Sequence, residues 1–84
     1  MQGNPVIHVQ ASLYPLESRD ADAVINRSIQ VLKDQGVRCH VGPVSTEFSG
    51  DPDLVWQSLR AAYEAALAEG GEVAMSVTIT NSQV

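Results

Sequence analysis

The sequence has one cysteine and few basic residues, and these two shortages exclude several classes of protein. With Cys39 alone, the chain can form no internal disulfide and no zinc site built from several cysteines. Five Lys and Arg stand against ten Asp and Glu, for a net charge of −5. The five cations are scattered, so the clustered basic surface of a nucleic-acid-binding protein is missing. We therefore expect a cytoplasmic protein with no nucleic-acid partner.

Long apolar runs and catalytic motifs are missing as well. No stretch of about 18 apolar residues is present, and no basic segment followed by an apolar one marks a signal peptide. The glycines lack the spacing of a phosphate-binding loop, and there is no Gly-x-Ser-x-Gly segment. The 84 residues are 44% hydrophobic and 18% charged, which is typical of a globular domain. We expect a single domain spanning 1–84, with no membrane partner, no cofactor and no catalytic residue.

Alternation of apolar and polar residues predicts four strands, each with one buried face. The first is residues 5–14, and Pro15 is expected to end it. The last is residues 72–80. Between them, residues 37–49 alternate in two short segments joined by a Gly-Pro turn at 42–43.

The Gly-Pro turn also predicts how the two short strands pair. If it is a two-residue loop, Val41 lies opposite Val44, and Arg38 lies opposite Glu47. The second pair would be a cross-strand charge pair contributing at most about 1 kcal/mol.

Helical periodicity marks two further segments. In residues 20–35, apolar residues recur at i, i+3 and i+4. Ser18 or Asp20 is a suitable N-cap, and Gly36 is a suitable stop.

The second helix has an equally clear start. Asp51 is the expected N-cap, with Pro52 in the first helical position and Gly70-Gly71 at the end. Trp56 lies on the border of its apolar stripe, where it either completes the core or forms the wall of a pocket.

The order strand, helix, strand, strand, helix, strand predicts an α+β, ferredoxin-like βαββαβ sandwich. Its four-stranded antiparallel sheet has the spatial order 4132, and both helices cover one face. The other face is left with ten polar or amphipathic residues: His8, Gln10, Ser12, Tyr14, Arg38, His40, Ser45, Glu47, Ser76 and Thr78. Because this face has few Lys and Glu for a solvated surface, we expect another copy of the chain to cover part of it.

Residues that often carry chemistry give no clear site on their own. His8 and His40 share the open face with Glu47, but an intervening strand sets the two histidines about 10 Å apart. The sequence therefore predicts no metal site. Cys39 falls on the core face, where a cysteine is usually an apolar filler. Thr46 is also predicted on the core face of its strand, where its hydroxyl either bonds to the backbone or lines a pocket.

Three segments resemble the YkoF-like family of small thiamine-binding proteins. Residues 10–16, Gln-Ala-Ser-Leu-Tyr-Pro-Leu, resemble the family's Gln-x-Ser-x-Tyr-Pro-Leu strand end. Residues 31–36, Val-Leu-Lys-Asp-Gln-Gly, resemble its leucine-lysine-x-x-glycine helix end. Residues 42–50, Gly-Pro-Val-Ser-Thr-Glu-Phe-Ser-Gly, resemble its Pro-Met-Gly-Thr-x-Ile-x-Gly hairpin. The segments occur in the family's order and cover most of the chain.

The resemblance implies a ferredoxin-like protein without enzymatic activity. It implies binding of thiamine or its hydroxymethylpyrimidine precursor by a homodimer or homotetramer, in thiamine uptake or salvage. The ligand-binding residues carried over by position are Gln10, Ser12, Tyr14 and Thr46. The chain departs from the pattern at Ser45, where the family has glycine, and at Glu47, where an apolar residue is common.

The chemistry of thiamine adds three residues to this predicted site. A cation with an aminopyrimidine ring needs a flat wall, a few hydroxyls or amides, and a carboxylate. Tyr14 or Trp56 is a suitable wall, and Glu47 is a suitable counter-charge. Ser45 lies beside Thr46, where its extra bulk would narrow a pocket. The predicted site therefore also includes Ser45, Glu47 and Trp56.

Two other functions are compatible with the sequence. One is a regulatory or protein-interaction domain of the same fold, whose open face binds a partner and no thiamine. The other is a small enzyme whose active site lies at a subunit junction.

Overall fold

Four strands and two helices form where the periodicity of the sequence changes from two to 3.6 residues. A computed structural model describes residues 5–16, 20–69 and 71–82. The elements are β1 (Ile7–Leu16), α1 (Ala21–Asp34), β2 (Arg38–Val41), β3 (Thr46–Gly50), α2 (Pro52–Ala68) and β4 (Glu72–Thr80). The predicted order of strands and helices is confirmed.

The first helix begins and ends where its capping residues predict. A side-chain oxygen of Asp20 accepts a hydrogen bond from the Ala23 N–H at 3.0 Å, which satisfies one of the free donors of the first turn. Gly36 follows the helix with a φ of 86°, a conformation that glycine adopts without strain. Ser18, the alternative cap, lies outside the described residues.

The second helix also begins and ends at its predicted capping residues. Asp51 accepts from the Leu54 N–H at 3.1 Å, and Pro52 is the first helical residue. Beyond its end, Gly71 has a φ of 87°; Gly70 lies outside the described residues. Within the described part of the chain, neither helix has the length and apolar character needed to cross a membrane.

The sheet has the order β2-β3-β1-β4, with every neighbouring pair antiparallel. This is the predicted 4132 order, and it confirms the ferredoxin-like α+β fold. The prediction that Pro15 ends the first strand is wrong, because β1 continues to Leu16 and Pro15 lies opposite Val73 of β4. The pairing of β3 with β1 ends at Ala11. Beyond that point one side of β1 is a free edge, where proline is tolerated.

The predicted pairing of β2 with β3 is wrong by two residues. The connection is a four-residue loop, 42–45, closed by a hydrogen bond from the Gly42 N–H to the Ser45 carbonyl at 2.8 Å. Val41 therefore lies opposite Thr46, and the expected Arg38–Glu47 pair does not form. Because the shift is two residues, the residues that pair keep their predicted faces, whereas Val44 lies in the loop and is 82% exposed.

The core lies between the two helices and one face of the sheet. Its buried cluster is Val9, Leu32, Val37, Phe48, Val55 and Leu59. The helices approach closely through small residues, and the buried Ser28 hydroxyl of α1 donates to the Ala62 carbonyl of α2 at 2.9 Å. Trp56 is 59% exposed, so it does not complete the core.

Candidate functional site

Two side chains of β1 hold the loop 42–45 against the middle of that strand. The Ser12 hydroxyl donates to the Val44 carbonyl at 3.1 Å. The Gln10 side-chain amide donates to the Ser45 hydroxyl at 3.2 Å. The loop thus takes the position beside β1 that β3 would occupy if it continued, and it fixes the hairpin relative to the sheet.

A cavity of about 180 Å³ lies on the helix side of the sheet at this loop. Its inner surface is apolar and includes Leu13, Ile25, Ile29, Leu32, Phe48 and Met75. Among the lining residues, Leu32 and Phe48 are buried, whereas Val44 of the loop is 82% exposed. The cavity therefore opens to solvent at the loop and closes against the core.

Four residues of the predicted site lie around this cavity. Ser12, Tyr14, Ser45 and Thr46 all contribute to its lining. Tyr14 is 51% exposed, which places it toward the solvent side. Each of the four side chains carries a hydroxyl; that of Ser12 donates to the Val44 carbonyl, and that of Ser45 accepts from the Gln10 amide.

The position of the cavity explains how residues from the two faces of the sheet can both line it. Thr46 belongs to the helix side of the sheet, whereas Ser12 and Tyr14 alternate to the open side. At this place β1 has no β3 beside it, because their pairing ends at the Ala11–Thr46 pair. The loop 42–45 lies there instead, bonded to Ser12 and Gln10, and residues of both parities contribute to the lining.

Three other predicted residues do not line the cavity. Gln10 lies next to the lining, since its side-chain amide donates to the hydroxyl of the lining residue Ser45. Glu47 lies on the opposite face of the sheet, since it pairs with Gln10 and His40. Trp56 lies exposed on α2.

Glu47 belongs instead to a groove of about 220 Å³ on the open face. The groove crosses β2, β3 and β1, and its polar residues are His8, Arg38, His40, Glu47 and Ser49. Across the described residues, no three or more His, Cys, Asp or Glu side chains are grouped so that they could hold a metal ion.

Cys39 lies half-buried on β2 and packs against the core. Burial raises the pKa of its thiol, and the nearby Lys33 ammonium offsets part of this effect. The thiolate is the nucleophilic form of cysteine. A raised pKa therefore describes a packing residue rather than a reactive thiol.

We predict that the Cys39 thiol reacts with iodoacetamide more slowly in the folded protein than in the unfolded one. The raised pKa lowers the thiolate fraction at any given pH. The pH at which the reaction reaches half its maximal rate should accordingly be higher for the folded chain. Replacing Lys33 with glutamine should raise that pH further, since it removes the opposing charge. A midpoint at or below that of the unfolded chain would contradict this account.

The apolar lining was not recognised in the sequence. Ile25 and Ile29 follow the helical spacing of core residues, and nothing in that spacing separates a packed core from a cavity wall. The sequence offers a signal in the loop, where the apolar Val44 follows Gly42-Pro43, and the structure leaves this residue 82% exposed at the mouth of the cavity.

The fold and the cavity together define a small α+β domain with a pocket between its helices and one end of its sheet. The sequence profile of the YkoF-related family matches residues 6–82. The chain therefore belongs to the YkoF-related family. Among curated proteins, none matches the sequence.

Several solved structures are similar to this chain over most of its length. A Streptococcus pneumoniae protein is 29% identical with a TM-score of 0.87, covering 94% of this chain and 89% of its own. A domain of unknown function, DUF77, from Bacillus cereus is 27% identical with a TM-score of 0.81, covering 89% and 74%. A Thermotoga maritima protein with a proposed role in thiamine biosynthesis or salvage is 20% identical, with a TM-score of 0.80 and coverage of 89% and 82%. At that identity the likeness concerns the fold.

Proposed function

We propose that this protein binds thiamine or its hydroxymethylpyrimidine precursor without transforming it, in thiamine uptake or salvage in the cytoplasm. The observation that carries the proposal is the cavity at the loop 42–45, with Ser12, Tyr14, Ser45 and Thr46 in its lining. Membership of the YkoF-related family supports it. The free Cys39 fits a reducing compartment.

The cavity suits a flat heteroaromatic ring. Small-molecule sites are mainly apolar, with a few polar groups that fix the orientation of the ligand. Here Leu13 and Ile29 belong to the apolar inner surface. The hydroxyls of Tyr14 and Thr46 can donate and accept, as the ring nitrogens and the amino group of a pyrimidine require.

The cavity is suited to binding rather than catalysis. Proton transfer and nucleophilic attack by a hydroxyl need a base within hydrogen-bond reach. None of the described residues that line the cavity is a carboxylate, imidazole, thiol or amine. The Ser28 hydroxyl, the most buried in the lining, already donates to the Ala62 carbonyl.

Thermal unfolding with millimolar thiamine or hydroxymethylpyrimidine tests this function. A ligand at 100 times its Kd stabilises the fold by about 2.7 kcal/mol, a shift of several degrees for a domain of this size. Tyr14→Ala and Thr46→Val should abolish the shift, since each removes a polar group from the lining. Thr78→Val, the same change on the open face, should leave it unchanged. Failure of both ligands to shift Tm would contradict the proposal and favour a protein-interaction domain.

We also propose that the protein works as a homodimer or homotetramer that covers the open face of its sheet. A domain of this size buries only roughly 60% of the surface of its unfolded chain. Among the residues of the open face that pair across β1 and β4 are Gln10 with Thr78 and Ser12 with Ser76. These side chains are uncharged, so covering them with a second copy costs less solvation than covering charged groups would.

A further inference from the structure

The groove on the open face contains every basic side chain of the four strands. These are His8 of β1 and the pair Arg38 and His40 of β2, and the two histidines are the only ones in the sequence. The chain as a whole has twice as many Asp and Glu as Lys and Arg. An acidic protein thus concentrates its imidazoles and a guanidinium in one concave place, on the face of the sheet away from the cavity at the loop 42–45.

Strand pairing places three hydrogen-bond donors of this groove in one row. Ser49 of β3 lies opposite Arg38 of β2 on one side and opposite His8 of β1 on the other. Neighbouring strands are about 4.8 Å apart, so the backbones at Arg38 and His8 are about 10 Å apart. The two longer side chains therefore flank the short hydroxyl side chain of Ser49.

The side chains of this row have no partner among the residues that the structure describes. There, Arg38, Ser49 and His8 make no side-chain hydrogen bond, and the ion pair is that of Arg60 with Glu64 on α2. A guanidinium is a planar fork of N–H donors that can bind two oxygens at once, and an imidazole and a hydroxyl also donate. The row therefore presents donors from three strands to one space.

The carboxylate of the groove lies in the next row. Glu47 is two residues from Ser49 on β3, a separation of about 7 Å along the strand, and its neighbour on β2 is His40. Opposite charges on neighbouring strands attract each other, so the cationic form of His40 offsets Glu47. Among the described residues that line the groove, Glu47 is the one acid. The row of Arg38, Ser49 and His8 thus keeps its positive charge.

We propose that this row binds a phosphate group. The Arg38 fork donates to two phosphate oxygens in charge-assisted bonds, while the Ser49 hydroxyl and the His8 imidazole donate from below and from the opposite side. The groove measures about 220 Å³, and the exposed positions of Arg38 and His8 leave the remainder of a phosphorylated molecule in solvent. Because the sheet separates this groove from the cavity, the proposal does not rest on the proposed function.

Proton NMR of the full chain tests the site with inorganic phosphate as the probe. The two histidines give two imidazole C2–H resonances, and His8→Gln identifies that of His8. Phosphate added at constant pH should shift the His8 resonance with a saturable curve. Sodium chloride at matched ionic strength should not, since it changes only the screening. Equal shifts with both salts, or none with phosphate, would overturn the proposal.

Three variants locate the bound phosphate. Arg38→Gln should raise the Kd for phosphate at least about tenfold. Arg27→Gln makes the same change at an exposed residue of α1 and should leave the Kd unchanged. Thr46→Val, in the cavity, should also leave it unchanged. Equal weakening by the two arginine variants would reveal a general charge effect, and weakening by Thr46→Val would place the phosphate in the cavity; either result would contradict the proposal.

Discussion

Replacing Leu59 with alanine is expected to lower the free energy of unfolding by about 2 to 5 kcal/mol. Leu59 is 7% exposed and belongs to the buried cluster between α2 and the sheet. It also borders the cavity, so the space left by its side chain adds to an existing opening that the surroundings do not close. For 84 residues, an ordinary total of about 0.05 to 0.15 kcal/mol per residue gives roughly 4 to 13 kcal/mol. The variant should thus lose a large part of its stability.

Leu67→Ala is the matched control for this loss. It makes the same change on the same helix, at a residue that is 44% exposed. We expect an effect below about 1 kcal/mol. Urea denaturation without ligand measures both variants, with equal slopes showing that the unfolded state is unchanged. Similar losses at both positions would contradict the placement of the core.

Features that depend on local chemistry were predictable from the sequence. Asp20 and Asp51 cap their helices because a carboxylate two or three residues before a free N–H can reach it in any fold. β4 has the predicted bounds because its alternation and the glycine before it are both local. The sheet order then follows from the element order and the handedness of the crossovers.

Features that depend on a neighbouring strand were not predictable from the sequence. Pro15 lies inside β1 because β3 does not extend beside it, and the sequence of β1 contains nothing about the length of β3. The loop 42–45 has four residues because Gly42 donates to the Ser45 carbonyl, whereas Gly42-Pro43 alone was compatible with a two-residue turn. Both errors concern which residues are adjacent, and the residues that remain paired in the sheet keep their faces.

The candidate site likewise contains residues that the sequence predicted and one that it placed wrongly. The resemblance predicted Gln10, Ser12, Tyr14 and Thr46 as ligand-binding residues. The structure places Ser12, Tyr14 and Thr46 around one cavity, and Gln10 donates a hydrogen bond to Ser45 beside them. Glu47 was added from the chemistry of the ligand alone, and strand alternation places it on the other face. Thr46 and Ser12 have opposite parity in the sequence, yet both line the cavity where the loop 42–45 replaces β3 beside β1.

Gln10→Arg is expected to dissociate the proposed homo-oligomer. Gln10 lies in the middle of the open face, with Glu47 beside it on β3 and Thr78 beside it on β4. If two copies cover this face about a two-fold axis, equivalent residues approach each other. Two arginines then meet where the surface must become dry, and burying a like-charge pair is unfavourable. Sedimentation or light scattering should show a rise in the dissociation constant of at least about 100-fold.

Gln57→Arg separates this local effect from a change in net charge. Gln57 is an exposed glutamine of α2, on the helix side of the molecule. Both variants add one positive charge to a chain with a net charge of −5. Long-range repulsion between copies therefore falls equally in both, and by itself favours association. Only a contact at the open face makes Gln10→Arg dissociate while Gln57→Arg stays assembled. Unchanged assembly in both variants would exclude the open face and leave the long edge of β4, which has one charged residue in nine, as the surface to test next.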